Sequence, residues 1–471
     1  MKKKKILLLS DDMRIPSGVG TMSKALIEGT LHKYDWAQIG GAIKHPDEGK
    51  VFDVSKDMEK QFNIKDAYCK VYPVTGYGNE NILRQVSEIE KPDAIMHFTD
   101  PRFWGWLYAM EHEIRQQMPL MYLNIWDDLP YPHWNENAYE SCDLLMAISK
   151  QTYNINKNVC ARKPRKEHID LTYVPHGIKE DLYHPIDETV NEYIKFKSEI
   201  TANKTFDYII MFNSRNIHRK HPSDLMIAYK NFCDSLPKEK ADRCLLIFHT
   251  DPVDTNGTDL PAVSNALCKG YNIAYSAQKV TPQQLNYMYN LADVVCNPSS
   301  AEGFGLSHME SMMAGTPTIA SVIGGLQDQM GFTVGCKDGD RDITINDFTA
   351  DIPSNSTGLI SKQHGEWTYP LWPQINLQGS PATPYIYDSR VSVSQITDGL
   401  KYWYDMGREE RKIKGKIGRA WAIKNGFTAK AMCDGYIKSI DKCFETWKPR
   451  QKYTLLSTGP QKLKRNIGAL V

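Results

Sequence analysis

Two glutamates mark the stretch of this chain best suited to chemistry. Glu302 and Glu310 flank a glycine-bearing loop within Asn297 to Ser321, NPSSAEGFGLSHMESMMAGTPTIAS. The stretch begins where an apolar strand, Asp293-Val294-Val295-Cys296, ends, and it passes through Gly303-Phe304-Gly305-Leu306. The pattern then predicts a helix over 307–314, closed by Gly315 with Pro317 soon after, as a glycine C-cap requires. A second buried strand, Thr318-Ile319-Ala320-Ser321, follows at once. Strand, glycine loop, helix and strand make a βαβ unit, whose loop and helix N-terminus lie at the carboxyl end of the first strand. Backbone N–H groups and the positive helix end favour an anion there. Two carboxylates eight positions apart are close enough to face one small polar ligand. The plainer alternative is a buried βαβ unit whose glutamates are surface charges.

Such a unit needs a frame. At 471 residues the chain is expected to form two domains. The 57 Lys+Arg and 56 Asp+Glu nearly cancel, so no global field advertises a nucleic-acid partner. Ten scattered cysteines without a C-x-x-C pair read as reduced core residues, not as a disulfide framework or zinc site. Lys2 to Lys5 precede only Ile6-Leu7-Leu8-Leu9, too short for a signal peptide, and no span approaches about 20 apolar residues. The expectation is a soluble, cytoplasmic protein without a transmembrane segment, in which the Asn256 and Asn355 sequons are chance matches.

Ile6 to Leu9 has the continuous apolar pattern of a central parallel strand. Pro16-Ser17-Gly18-Val19-Gly20 follows as a glycine loop opening a helix. A dinucleotide fingerprint would place a third glycine at Ser23 and an acid after the next strand, where Ile39-Gly-Gly-Ala-Ile-Lys-His has none. A nicotinamide enzyme is therefore not expected. Further strand-like segments fall at 93–98, 120–126, 143–148, 171–174, 207–212 and 243–249, the spacing of an α/β protein. Aromatic loops at 100–106 and 126–134 sit just past strand ends, where rings either stack on a ligand or fill the core.

The stretch Glu302-Gly-Phe-Gly-Leu-Ser-His-Met-Glu310 resembles the E-x7-E signature of retaining glycosyltransferases with two Rossmann-like domains, the GT-B fold of glycosyltransferase family 4 type (glycosyl transferases group 1). The likeness continues through Met313 to Ser321 and the Gly324-Gly325 pair. Tyr173 to Pro185 resembles the family's hinge-side segment, with His176 at the position of an asparagine. The resemblance implies an acceptor-side domain over 1–190 and a nucleotide-sugar-binding domain over 205–436. A helix at about 437–471 then packs back on the first domain.

The resemblance also implies roles. Glu310 accepts hydrogen bonds from the ribose hydroxyls, and Glu302 holds the sugar hydroxyls with the amides of Phe304, Gly305 and Leu306. Arg215 and Lys220 match the family's Arg and Lys five positions apart. Two cations of fixed geometry suit a leaving diphosphate. Arg219 competes for the role of Lys220. Gly18 and Gly20 face the interdomain cleft near the donor phosphates. Many relatives have a His-Asp pair where this chain has Trp126-Asp127, so Asp127 or His97 takes the place of the histidine. No metal site is expected, because no D-x-D motif stands among these motifs and cationic side chains replace Mg²⁺. No cofactor is expected beyond the nucleotide-diphosphate sugar itself as donor.

The acceptor stays open among a glycan, a protein and a hydroxymethylated base in DNA as in phage-type enzymes. The aromatic loops and the basic residues after Glu445 lean toward nucleic acid, and the neutral overall charge leans away. The stretch 328–388 reads as long and irregular, with five prolines and two tryptophans. Two other functions fit the same fold: a catalytically inert sugar-nucleotide-binding module, and a sugar-nucleotide epimerase.

Overall fold

The computed structural model describes residues 2–162, 169–337 and 339–450. Its architecture follows from the apolar runs, since a strand covered on both faces needs no polar face. Ile6 to Leu9 are fully buried within the strand Lys4–Asp11. That strand lies inside an eight-stranded sheet ordered Phe52–Asp53, Cys69–Thr75, Tyr34–Ala42, Lys4–Asp11, Ala94–Phe98, Leu120–Asn124, Leu144–Ala147, Asp170–Tyr173. Every pairing is parallel except that of the edge strand Phe52–Asp53.

The second sheet has six strands, ordered Ile273–Tyr275, Cys244–His249, Tyr208–Asn213, Val294–Asn297, Thr318–Ser321, Thr368–Leu371, all parallel. The chain direction reverses across the first sheet between Lys4–Asp11 and Ala94–Phe98, and across the second between Tyr208–Asn213 and Val294–Asn297. Ligands of open α/β sheets bind outside the carboxyl ends of strands at such switch points. The expected α/β fold of two Rossmann-like domains is the fold observed.

The last helices join the domains. Arg408–Lys424 lies on the second domain, where buried Arg411 holds Asp293 at 2.8 Å. The chain then crosses beside the hinge: Ile178 N donates to the Phe427 carbonyl and Ala429 N to the Ile178 carbonyl, both at 2.9 Å. The approach is close enough that a Cβ on Gly177 would lie 2.0 Å from the Thr428 carbonyl oxygen. Helix Ala429–Thr446 packs on the first domain, and the Tyr34 hydroxyl donates to Asp441 at 2.7 Å. This helix starts ahead of the position expected from the sequence. The expected extension to 471 and the basic residues Lys452, Lys462, Lys464 and Arg465 lie outside the described residues.

The stretch 328–388 is more ordered than its sequence pattern predicts. It contributes the edge strand Thr368–Leu371 and two hairpins, Thr333–Cys336 with Gly339–Asp342 and Gln374–Ser380 with Thr383–Arg390. Pro370 is tolerated because an edge strand leaves one row of amides unused. Every residue of Gln374–Ser380 is exposed, which removes the apolar alternation by which a strand is read. Among the described residues no helix is long and apolar enough to cross a membrane, and the cysteines are free.

Candidate active site

Both switch points open into one cavity of about 1010 Å³ between the domains. The first domain lines it with Asp11, Gly18, Phe98 and Asp127, and the second with Asn213, Lys220, Glu302 and Glu310.

The loop bearing Glu302 is held by glycines. Gly305 has φ +92°, a backbone conformation that side chains disfavour, and a Cβ there would lie 2.4 Å from Leu326. Gly324, at φ +41°, passes under the loop, where a Cβ would sit 2.0 Å from the Glu302 carbonyl oxygen. Gly325 N donates to that carbonyl at 3.1 Å. Helix Leu306–Met313 starts directly after Gly305, and its first bonds run from His308 and Met309 to the Gly305 carbonyl. The amides of Phe304, Gly305 and Leu306 therefore precede the helix's own bonding, the arrangement that suits an anion or a hydroxyl.

The Lys220 ammonium donates to the Glu302 carboxylate. Lys220 is 4% exposed, and burial together with neighbouring Arg219 pushes its ammonium down to about 8. Burial alone would raise the Glu302 carboxyl, but Lys220 and Arg219 outweigh it and hold it below the ordinary carboxylate range. The Arg219 guanidinium donates to the Ala301 carbonyl, so two cations stand beside the loop. Arg215 also lines the cavity, but its guanidinium is turned to Asp254 at 2.8 Å with the side chain 62% exposed.

Glu310 sits deeper. The Tyr289 hydroxyl donates to its Oε2 at 2.6 Å and accepts from Asn213 Nδ2 at 2.7 Å. Burial raises the Glu310 carboxyl, while Tyr289 and Tyr183 partly offset this. Its remaining acceptor capacity faces the cavity that it lines.

Helix Gly18–Thr30 presents its N-terminus from the first domain, capped by Ser17, whose hydroxyl accepts from Gly20 N and donates to Asp11 at 2.7 Å. Gly18 lines the cavity, and a Cβ there would come within 3.8 Å of Leu306 across the cleft. Gly20 is not among the lining residues. It lies in the first turn of the helix, pressed on the Ile15 and Asp12 carbonyls, 2.5 and 2.8 Å from where a Cβ would stand, so it lets the preceding loop pack against the helix.

Asp127 lines the cavity at the end of the strand Leu120–Asn124. Burial raises its carboxyl, Arg219 and Lys220 lower it, and Glu302 raises it. Asp128 beside it is raised well above the carboxylate range by burial and by Asp127. His97 does not line the cavity: it is fully buried, with Nδ1 2.6 Å from the Tyr108 hydroxyl and its ring 4.8 Å from that of Tyr122. Trp126, by contrast, is largely buried but lines the cavity, its indole donating to the Asp128 carbonyl at 2.8 Å. His176 reaches the cavity and packs against Phe304 at 5.2 Å, and burial drives its imidazole down to about 3, so it is neutral.

Sequence reasoning missed Tyr289 and the hairpin residues Thr383 and Ile386, all at the site. Tyr289 carried no signal, because a tyrosine on an amphipathic helix reads as core. The hairpin crosses from the second domain to the first, where Tyr387 N donates to the Leu129 carbonyl at 2.7 Å and the Tyr385 ring meets Trp134 at 4.5 Å.

Residues 194–334 match the family model described as Glycosyl transferases group 1. A D-inositol 3-phosphate glycosyltransferase of Kribbella flavida is 25% identical over 207 residues, 42% of this chain and 46% of that protein. The chain thus matches less than half the length of this curated relative. Among solved structures, sucrose-phosphate synthase from Thermosynechococcus elongatus superposes with a TM-score of 0.63 at 15% identity, covering 94% of this chain and 100% of the other. Anabaena HepE, in complex with UDP and glucose, gives 0.62 at 14% identity, covering 93% and 100%. At these identities the likeness establishes the fold. Residues 194–334 are thus similar to the glycosyl transferases group 1 family, on a chain with the two-domain GT-B fold.

Proposed function

We propose that this protein is a retaining, metal-independent glycosyltransferase that moves a sugar from a nucleoside-diphosphate sugar to a glycan hydroxyl. The observation that carries this reading is the convergence of Lys220, Arg219, Glu302 and Glu310 in one cleft beside the open amides of Phe304 to Leu306.

Glu310, fixed by Tyr289, accepts from the ribose hydroxyls. Glu302 and the amides after it hold the hydroxyls of the transferred sugar. Lys220 and Arg219 meet the diphosphate, and Arg215 turns from Asp254 to join them, a swing its exposure permits. The N-terminus of helix Gly18–Thr30 faces the same charge from the other side. In the transfer, the anomeric carbon loses its bond to the β-phosphate oxygen and gains one to the acceptor oxygen on the same face. The acceptor proton goes to the departing phosphate, and the cations stabilise the negative charge that develops there. Asp127 stands across the cleft from Glu302, beside Trp126 at the position of the relatives' histidine, and takes over its contact with the donor sugar.

HepE binds UDP and glucose, and the Kribbella relative is named for an inositol phosphate acceptor. Near-neutral overall charge favours a glycan over DNA. The test is nucleoside-diphosphate release from UDP-, GDP- and ADP-sugars, alone and with simple sugars, oligosaccharides or hydroxymethylated DNA. Release from one donor, stimulated by a saccharide and lost in Glu302→Ala, is expected, with the product anomer retained by NMR. Binding of a donor without release under any condition would instead leave the inert-module reading, and donor turnover to an epimer without acceptor the epimerase.

A further inference from the structure

A second cavity of about 990 Å³ adjoins the first, and Pro101 and Arg102 line both. Its floor and walls come from the first domain, through Tyr108, Trp134, Asn135, Asn137 and Glu140, and it is also lined by Arg450, just past the last helix, and by Ala382 at the turn of the hairpin. Thr383 and Ile386 of the same hairpin line the donor cleft, so the hairpin stands between the two spaces. Two buried polar atoms of residues lining the second cavity have no hydrogen-bond partner among the described residues: Nε1 of Trp134, a donor, and Oε1 of Glu140, an acceptor. Buried polar groups are nearly always paired, so Trp134 and Glu140 keep unused hydrogen-bonding capacity in the cavity wall.

The chemistry of the walls discriminates among ligands. Arg102 is held by Asp100, with Nη2 at 2.5 Å, and Arg450 by Glu111 at 2.5 Å. Both arginines at this cavity are therefore neutralised, while Glu140 adds a negative charge. A phosphate-bearing acceptor would have to break these pairs and approach a carboxylate. Amides, a carboxylate and aromatic rings instead match a neutral polyhydroxyl chain, whose hydroxyls both donate and accept and whose C–H faces pack on rings.

Resting on the transferase reading above, we propose that the second cavity binds the body of a neutral oligosaccharide acceptor. The terminal sugar reaches past Arg102 into the donor cleft, and the hairpin Gln374–Arg390 forms the wall between them. Acceptor choice is then by chain length: a monosaccharide fills only the donor cleft, and a longer chain fills both spaces.

The experiment measures binding and transfer for mono- and tetrasaccharides of glucose, galactose, mannose and N-acetylglucosamine, with a hydroxymethylated DNA oligonucleotide as the anionic comparison. At least one tetrasaccharide is expected to have a kcat/KM ten-fold or more above its monosaccharide. Glu140→Gln, and separately Ala382→Trp, should reduce that ratio toward one through KM. Titration with UDP or GDP in the same variants reports the donor site independently. Equal use of mono- and tetrasaccharides, a length preference unmoved by both substitutions, or preference for the DNA would each overturn the subsite. Nucleotide release without any length preference would overturn the subsite alone, whereas absence of donor binding in the unmodified protein would overturn the transferase reading itself.

Discussion

Lys220 sets the pH dependence of the site, because burial and the adjacent Arg219 push its ammonium down to about 8. The cation is present below that pH and lost as pH rises through it, so kcat/KM, which reports the free enzyme, should fall above about pH 8. In Lys220→Arg the guanidinium does not titrate, and the alkaline limb should vanish even where the rate is lower. A wild-type profile flat from neutral pH to well above pH 8 would remove Lys220 from the reaction. Glu310 makes a different demand: it is a carboxyl acceptor fixed by Tyr289 at 2.6 Å. Glu310→Gln should weaken donor binding about ten-fold, roughly 1.4 kcal/mol, with kcat little changed. Tyr289→Phe should cost less, about three-fold, since it loosens the carboxylate without removing it. Isothermal titration with the donor nucleotide distinguishes these outcomes.

The βαβ unit from Val294 to Ser321 works as an element because glycines let a second backbone run beneath its loop. Gly324→Ala would drive a methyl into the Glu302 carbonyl, 2.0 Å from the Cβ position, at a φ of +41°. The loop must then move or the unit must strain. The expected cost is about 2–4 kcal/mol in denaturant unfolding, accompanied by loss of turnover. Stability and turnover both unchanged would show that the loop has another resting geometry. Gly315, at φ +81°, closes the helix and lies against the long helix after it, where a Cβ on Gly415 would stand 1.9 Å from the Gly315 carbonyl oxygen. The same glycine that ends the local element therefore fixes its distance from a neighbour.

At the scale of the molecule, helix Ala429–Thr446 belongs by sequence to the chain's end and by packing to its beginning. Tyr436, Ile440 and Cys443 are buried, and a Cβ on Gly29 would collide with Cys433. Tyr436→Ala should therefore destabilise the first domain by about 3–5 kcal/mol, as large-to-small changes of buried aromatics do. Limited proteolysis should cut within 2–173 before it cuts within 208–371. Equal protection of both sheets would show that the helix matters to neither in particular. The hairpin Gln374–Arg390 and the hinge-side bonds of Ile178 bridge the same two domains from other directions, so the cleft has walls from three separate parts of the chain.

The sequence by itself determined the pieces whose structure is local. Glu302, the amides of Phe304 to Leu306 and Glu310 fall in one continuous strand–loop–helix, so order along the chain and order in space coincide. Continuous apolar runs separated by helical spacing likewise specified an α/β protein with parallel strands, because burial on both faces removes the polar alternation. The division into two Rossmann-like sheets came from the family resemblance. Lys220 was legible through its motif, but its pairing with Glu302, 82 positions along, was not. Tertiary structure alone decided that Arg215 rests on Asp254, that Gly20 packs on the preceding loop while Gly18 meets the cleft, and that Asp127 and not His97 faces the site. It also placed a hairpin whose first strand is wholly exposed between two cavities, through its half-buried second strand. The physical reason is common to all of these. Local sequence constrains backbone conformation and which faces must be buried, whereas side-chain partners are chosen by the packing of segments far apart in the chain.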